Sequence, residues 1–288
     1  MSTPRFLDLP SSARAVRLDT ARGQFAAHIA TPSGEIHTTA LLVPGYCGSK
    51  EDFIGLLEPL ASRGVRVVAV DPRGQYETIG PDDDAAYKAA EQGADVVALT
   101  QAIGYGPLHL LGHSFGGLIT REATIARPEL VRSLTLLCSG PAAVSGIAAD
   151  RVKLQLAALE QYDMGTVQAL RESFAAAQGE EEPPVPIRDF LRHRFTSNNR
   201  LGLIEVSREL LSAADRTSRL RDTGIPVLVA YGERDDAWPL DEQRDLAQRL
   251  GAELAVIPDT GHSPAVDDPT ATAELLAGFW FGTDVPRS

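Results

Sequence analysis

The chain has 288 residues, 43% of them hydrophobic and 23% charged, which allows one large buried core and excludes a disordered or fibrous protein. Acidic residues outnumber basic ones by 39 to 27, and the resulting formal charge of −12 argues against a nucleic-acid partner. The first residues contain no apolar signal segment, and no stretch approaches the roughly 18 apolar residues that span a bilayer. We therefore expect a cytoplasmic protein with no membrane partner.

Patterns typical of strands and helices alternate along most of the chain. The segments "RAVRLD" and "QFAAHIAT", separated by "TARG", predict a β-hairpin. Short apolar runs predict six further strands, namely "TALLVPG", "VRVVAVDPRG", "LHLLG", "SLTLLCSG", "PVLVAYG" and "ELAVIPDTG". Helical patterns lie between them, for example over residues 49–64, 84–103 and 115–127. This alternation predicts an α/β fold with a mostly parallel central sheet and helices on both faces.

The segment from residue 141 to residue 219 interrupts this alternation. It contains only helical patterns, such as "DRVKLQLAALEQY" and "NRLGLIEVSRELLSAA", with the proline-rich spacer "GEEEPPVPI" between them. We therefore expect residues 141–219 to form a helical cap inserted into a core made of residues 1–140 and 220–288.

The two cysteines do not suggest a disulfide or a metal site. Cys47 and Cys138 lie in different apolar neighbourhoods and belong to no CxxC or Cys/His cluster. We expect both to be small buried hydrophobic residues.

The stretch "LLGHSFGGLIT" places Ser114 between a predicted strand and a predicted helix, in the pattern Gly-x-Ser-x-Gly. Such a serine lies on a sharp turn, and Gly112, Gly116 and Gly117 would allow the strand and the helix to approach each other. The amide of Phe115 would then lie at a helix N-terminus, where negative charge is stabilised. The pattern indicates a nucleophilic serine.

A nucleophilic serine needs a base, and the base needs an orienting carboxylate. His262 directly follows the last predicted strand in "IPDTGHSP", at the sheet edge that carries Ser114. Asp235 and Asp236 both follow a strand in "YGERDDAWP", and we favour Asp235 because Asp236 could instead cap the next helix. The other histidines lie in the hairpin region, in a strand, in the serine turn and in the insertion: His28, His37, His109, His113 and His193.

In these motifs the chain resembles the α/β-hydrolase superfamily. The resemblance covers most of the core, from "LLVPGY" through "VDPRG", "GHSFGG" and "GERDDAWP" to "TGHSP". It implies that Ser114 is the nucleophile, His262 the general base and then acid, and Asp235 the orienting carboxylate. It also implies an oxyanion hole made by the backbone amides of Tyr46 and Phe115, with no metal and no organic cofactor.

One position departs from the family pattern. Many members have His-Gly where this chain has Pro44-Gly45. The amide of Tyr46, which follows the glycine, is still available as a donor.

The reaction implied is acyl transfer from a small-molecule carboxylic ester, or a related acyl compound, to Ser114, followed by hydrolysis. A serine nucleophile argues against epoxide hydrolases and haloalkane dehalogenases, which use aspartate. The alternatives on the same triad are a cofactor-free perhydrolase or haloperoxidase-like enzyme, a carbon–carbon bond hydrolase and an aminopeptidase-like hydrolase. A non-catalytic ligand receptor is a further alternative. The sequence leaves the oligomeric state open.

The helical insertion carries apolar residues that could face the nucleophile. We expect the insertion to cover Ser114 and to contribute to an apolar acyl pocket. The candidate lining residues are Leu156, Leu159, Leu203 and Ile204.

Overall fold

The computed structural model describes residues 2–179 and 181–284, and this part of the chain contains one eight-stranded sheet. In chain order the strands are β1 (Ala13–Thr20), β2 (Gly23–Ala30), β3 (Thr38–Val43), β4 (Val65–Val70), β5 (Leu108–His113), β6 (Val131–Leu137), β7 (Val227–Gly232) and β8 (Glu253–Ile257). They are ordered β1-β2-β4-β3-β5-β6-β7-β8 across the sheet. Only the β1–β2 and β2–β4 pairs are antiparallel, so the predicted mostly parallel sheet is confirmed.

The predicted amino-terminal hairpin forms the antiparallel edge of the sheet. The two strands pair from Ala13 with Ala30 to Thr20 with Gly23. Gly23 has a φ of 119°, a region of backbone space that side chains other than glycine rarely adopt. The glycine in "TARG" therefore permits the turn that the sequence pattern indicates.

Helices flank the sheet, and their order follows the predicted alternation. They are α1 (Ile54–Ala61), α2 (Ala89–Ile103), α3 (Phe115–Ala126), α4 (Gly146–Gln161), α5 (Met164–Ala177), α6 (Val185–Thr196), α7 (Arg200–Ser212), α8 (Thr217–Arg221), α9 (Leu240–Leu250), α10 (Pro264–Asp267) and α11 (Pro269–Asp284). Helix α1 packs against α11, and α2 packs against α3. Strands β3, β5 and β7 are buried at every position, which explains why they are continuous apolar runs rather than alternating ones.

The helix predicted over residues 84–103 begins later than the pattern suggested. Asp84–Tyr87 form a short 3-10 turn, and Lys88 has an extended backbone with φ −63° and ψ 146° before α2 starts at Ala89. The amide of Ala89 donates to the carboxylate of Glu209 on α7 at 2.9 Å. A tertiary contact therefore satisfies the first amide of α2, and the alanine-rich sequence does not extend the helix further back.

Helices α4 to α8 occupy the segment between β6 and β7. Helix α4 packs on α7 and on α5, and α5 packs on α6. Some of their buried apolar side chains, such as Val206 and Leu210 on α7, belong to the core of the sheet. Others form a separate cluster that includes Cys47 from the loop after β3. The cluster consists of Cys47, Leu159, Val167, Phe195, Leu203 and Ile204. We call helices α4–α7 the helical insertion.

None of the helices in the described ranges combines the length and apolarity needed to cross a membrane.

Candidate active site

Ser114 lies on a strained turn between β5 and α3. Its φ of 55° and ψ of −122° place a non-glycine residue in an unfavourable backbone region. The surrounding glycines leave no room for a side chain. A Cβ added to Gly116 would lie 2.3 Å from the carbonyl oxygen of Val43, and one added to Gly112 would lie 2.3 Å from the carbonyl oxygen of Gly116. The glycines therefore allow the strand, the helix and the loop after β3 to meet behind the serine.

The side chains of Ser114, His262 and Asp235 form one hydrogen-bonded series. His262 Nε2 lies 3.0 Å from Ser114 Oγ, and His262 Nδ1 lies 2.7 Å from Asp235 Oδ1. His262 is in the loop between β8 and α10, and Asp235 is in the loop after β7. The carboxyl ends of parallel strands meet at one sheet edge, so three distant segments of the chain come together there.

The Asp235 carboxylate is buried but well supplied with donors. The amide of Ala237 donates to Oδ1 at 3.1 Å, and Gln243 Nε2 on α9 donates to Oδ2 at 2.8 Å. Burial alone raises the pKa of Asp235, but the hydrogen bonds from His262, Ala237 and Gln243 outweigh it, and the pKa lies below its ordinary value. Asp235 is therefore an ionised partner for His262.

Asp236 has a different environment. Its side chain is 60% exposed, and it pairs with Arg151 on α4 at 2.5 Å. The structure thus brings Asp235, rather than its neighbour, into contact with His262.

His113, the residue before the serine, supports the loop that carries His262. Its Nε2 lies 2.6 Å from the backbone carbonyl oxygen of His262. Burial and the neighbouring His262 lower the pKa of His113 to about 3, so the ring is neutral and its Nε2–H donates to that carbonyl. In the sequence His113 was only the variable residue of the serine motif.

The loop after β3 lies directly against the nucleophile. A Cβ on Gly45 would lie 2.8 Å from Ser114 Cβ, so the backbone of this loop borders the serine side chain. The next residue is Tyr46, whose amide is one predicted oxyanion donor. The other predicted donor, Phe115, is the first residue of α3. We call residues 45–48 the oxyanion loop, after the role predicted for the Tyr46 amide.

Gln75 holds the oxyanion loop from the core side. Its buried Nε2 donates to the carbonyl oxygens of Gly45 at 3.0 Å and Gly48 at 2.9 Å, and its Oε1 accepts from the amide of Cys47 at 3.3 Å. One side chain therefore fixes three backbone groups around Tyr46. This role could not be predicted from the sequence, because a glutamine five residues beyond a strand has no recognisable spacing to the loop that it binds.

The four apolar residues expected to line a pocket belong to one region. Leu159, Leu203 and Ile204 are buried in the cluster that contains Cys47, while the half-buried Leu156 packs against that cluster, as does Tyr46. These side chains therefore lie next to the oxyanion loop.

Three potential metal ligands meet beside the serine. Ligand atoms of His113, Cys138 and His262 lie within 4.8 Å of one another. Both ring nitrogens of His262 already bond Ser114 and Asp235. Burial also raises the pKa of the Cys138 thiol well above its ordinary value, which disfavours the thiolate that binds metals. The hydrogen bonds of His113 and His262 account for the close approach of the two imidazole rings.

The remaining histidines and the cysteines have other surroundings. His109 Nδ1 bonds Ser133 Oγ at 2.7 Å, and His28 lies 3.6 Å from Glu51. His37 and His193 contact the rings of Phe281 and Tyr76. Cys47 and Cys138 are free and buried.

Comparisons with known proteins agree with the observed fold. A family model described as alpha/beta hydrolase fold matches residues 39–269. Monoacylglycerol lipase abhd6-B of Xenopus laevis is 26% identical over 84% of this chain and 74% of its own length. Pimeloyl-[acyl-carrier protein] methyl ester esterase of Aeromonas hydrophila is 29% identical over 59% of this chain and 69% of its own length. The structure of a thermophilic esterase from Thermogutta terrifontis superposes with a TM-score of 0.75 at 20% identity, covering 94% of this chain and 100% of that chain.

Proposed function

The chain belongs to the α/β hydrolase family, and from that premise we propose that it hydrolyses a small to medium carboxylic ester through an acyl-enzyme on Ser114. The observation that carries the proposal is the continuous series of hydrogen bonds from Ser114 through His262 to the ionised Asp235. A serine hydroxyl is a weak nucleophile unless a base stands within hydrogen-bond reach, and His262 Nε2 meets that condition.

The mechanism follows from the positions of these groups. His262 Nε2 removes the proton of Ser114 as Oγ attacks the ester carbonyl carbon, and Asp235 stabilises the imidazolium that forms. The carbonyl oxygen becomes an oxyanion that accepts hydrogen bonds from the amides of Tyr46 and Phe115. His262 then protonates the departing alcohol. Water attacks the acyl-enzyme by the same steps and releases the acid and Ser114.

The helical insertion supplies the cap in this proposal. Its apolar cluster packs on Cys47 and Tyr46, next to the loop that borders Ser114. An acyl chain that enters between the insertion and the serine would meet Leu156, Leu203 and Ile204. Each buried methylene group contributes about 0.8 kcal/mol, so the preferred acyl length reports the depth of that space.

The relatives support ester hydrolysis as the reaction class. Their names describe a lipase and two esterases, and the two names that specify a substrate specify different ones. We therefore propose that the bond cleaved is a carboxylic ester bond. The acyl and alcohol groups of the substrate are to be determined by measurement.

The test is turnover of p-nitrophenyl esters from acetate to dodecanoate by the protein and by Ser114→Ala. We expect wild-type turnover with a preferred chain length, and a loss of about 10⁴-fold or more in kcat in the variant, because only binding and the oxyanion hole remain. A fluorophosphonate should label the wild type once per chain and leave Ser114→Ala unlabelled. A folded Ser114→Ala protein that retains turnover would exclude the serine mechanism.

A further inference from the structure

The phenol of Tyr46 is a point where the helical insertion is bound to the oxyanion loop. Its Oη lies 2.6 Å from Ser207 Oγ on α7 and 2.6 Å from Gln155 Nε2 on α4. Both partners belong to the insertion, whereas the backbone of the preceding residue, Gly45, borders the nucleophile. Tyr46 thus connects the insertion and the site through a single residue.

The directions of these hydrogen bonds can be assigned from their partners. Ser207 donates its proton to the carbonyl oxygen of Leu203 at 2.8 Å, so its Oγ accepts from the Tyr46 hydroxyl. The Tyr46 oxygen in turn accepts from the amide nitrogen of Gln155. Burial raises the pKa of the Tyr46 phenol, which keeps the proton that the bond to Ser207 requires.

The series continues into a third helix. Arg171 Nη1 on α5 donates to Gln155 Oε1 at 2.6 Å. In this series each side chain donates a hydrogen bond to the next, from Arg171 through Gln155 and Tyr46 to Ser207. Hydrogen bonds in such a series strengthen one another where water is excluded. The apolar cluster of Leu159, Phe195 and their neighbours provides that environment. We call these four side chains the relay.

The backbone on either side of Tyr46 is held independently by the core. Gln75 bonds the carbonyl of Gly45 and the amide of Cys47, the two residues that flank Tyr46. The loop is therefore anchored on one side by Gln75 and on the other by the relay. The direction of the Tyr46 amide depends on both anchors.

We infer that the relay couples the position of the helical insertion to the geometry of the oxyanion hole. In this inference Gln155 and Ser207 are positioning residues for the Tyr46 amide. The inference rests on the proposed function, because it requires that amide to be an oxyanion donor. A substrate that presses the insertion onto Tyr46 completes the hole, and a substrate that holds the insertion away leaves the donor misdirected. The insertion then selects substrates through kcat as well as through binding.

The experiment compares Ser207→Ala and Gln155→Met with Ser212→Ala. Ser212 is a matched control, because its hydroxyl bonds the carbonyl of Arg208 at 2.7 Å on the same helix but is exposed. The readouts are kcat and KM for one p-nitrophenyl ester and the Ki of a trifluoromethyl ketone, which forms an oxyanion on Ser114. For the two relay variants we expect kcat to fall about ten-fold to a hundred-fold, because small misplacements of a catalytic group have effects of this size.

The inhibitor constant separates positioning from simple stabilisation. Ki should rise by the same factor as kcat/KM falls, while KM stays nearly constant and Ser212→Ala resembles the wild type. Ser207→Thr, which keeps the hydroxyl, should recover most of the activity. Tyr46→Phe should reproduce the loss, and adding Ser207→Ala to it should cause little further change.

The outcome that overturns the coupling is a lower Tm in Ser207→Ala and Gln155→Met with kcat and Ki unchanged. The same fluorophosphonate labelling that tests the proposed function separates the two failures. A wild type that is neither labelled nor active on esters contradicts the proposed function. A labelled wild type whose relay variants keep the wild-type Ki contradicts the coupling alone.

Discussion

Two adjacent aspartates show how environment, rather than residue type, assigns a role. Asp235 is 7% exposed and accepts hydrogen bonds from His262, Ala237 and Gln243. Asp236 is exposed and pairs with Arg151. Exposed ion pairs contribute little to stability, roughly 0–1 kcal/mol. The two positions should therefore respond very differently to the same isosteric change.

Asp235→Asn should lower kcat about 10⁴-fold, because an amide favours the wrong tautomer of His262 and does not stabilise the imidazolium. Asp236→Asn should leave kcat close to that of the wild type. Both variants are to be assayed on the same ester, with circular dichroism as the control for folding. Equal losses, or a larger loss at Asp236, would contradict the assignment of the carboxylate.

The sequence indicated the residues whose spacing is tied to their own strand or turn. Ser114, Asp235 and His262 each follow a predicted strand, and the structure brings them together. The sequence did not indicate Gln243, Gln75 or Ser207. Gln75 and Ser207 bond residues far away in the chain, and Gln243 bonds a residue in the loop before its own helix. Glutamine and serine are also common in helices and loops. Only the tertiary contact distinguishes such residues.

At the scale of elements, the serine turn and the last helix contain glycines in opposite environments. A Cβ on Gly116 would meet the backbone oxygens of Val43 at 2.3 Å and Pro44 at 2.6 Å. Gly278 lies inside α11, and a Cβ there would meet nothing within 4 Å. Backbone atoms cannot move aside as a flexible side chain can, so only the first glycine is required by its surroundings.

Gly116→Ala should separate α3 from Val43 and Pro44 at the end of β3, lower the free energy of unfolding by about 1–3 kcal/mol and strongly reduce kcat. Gly278→Ala should raise the free energy of unfolding by about 0.5–1 kcal/mol without changing kcat, since alanine favours helices over glycine. Urea unfolding and ester turnover measure both effects. Full activity in a Gly116→Ala protein would show that the close approach behind Ser114 is unnecessary.

The alternation of strands and helices was predictable, but the order of the strands was not. Continuous apolar runs at β3, β5 and β7 correspond to strands buried at every position. Nothing in the sequence places β4 between β2 and β3, because pairing partners depend on crossovers between distant segments. Strand β8 is mostly exposed at the sheet edge, although the sequence predicts it as a short apolar run like the buried strands.

At the scale of the whole molecule, buried charges connect the insertion and the core. Arg194 on α6 is fully buried, and it bonds Asp52 Oδ1 at 2.6 Å and the carbonyl of Ser2 at 2.7 Å.

A second buried ion pair lies within the core. Lys50 Nζ lies 3.0 Å from Asp71, and burial, which Lys50 only partly opposes, raises the pKa of Asp71 to about 7. The raised pKa of Asp71 therefore lowers the free energy of unfolding as the pH rises from 3.8 towards 7, because the unfolded chain releases the proton at a lower pH than the folded protein.

His113 acts on stability in the opposite direction. Its pKa is lowered by burial and by His262 from 6.5 to about 3. Below pH 6.5 His113 binds a proton in the unfolded chain but not in the folded protein. Its ionisation therefore lowers the free energy of unfolding increasingly as the pH falls towards about 3. The contribution of Asp71 to the pH dependence is the same in the wild type and in a variant that cannot titrate at position 113. The difference in their free energies of unfolding therefore reports on His113 alone.

His113→Gln provides that comparison, because its amide can still donate to the carbonyl of His262 but takes up no proton. We expect the variant to be less stable than the wild type near neutral pH, where the buried ring packs without an ionisation penalty. The difference should shrink by about 1.4 kcal/mol for each pH unit below the ordinary histidine pKa. Urea unfolding of both proteins from about pH 7 to about pH 4 measures it. A stability difference that stays constant over this range would mean that His113 takes up a proton in the folded protein as readily as in the unfolded chain. The Nε2–H of the protonated ring would still donate to the carbonyl of His262, so the contact that supports the His262 loop would persist in acid.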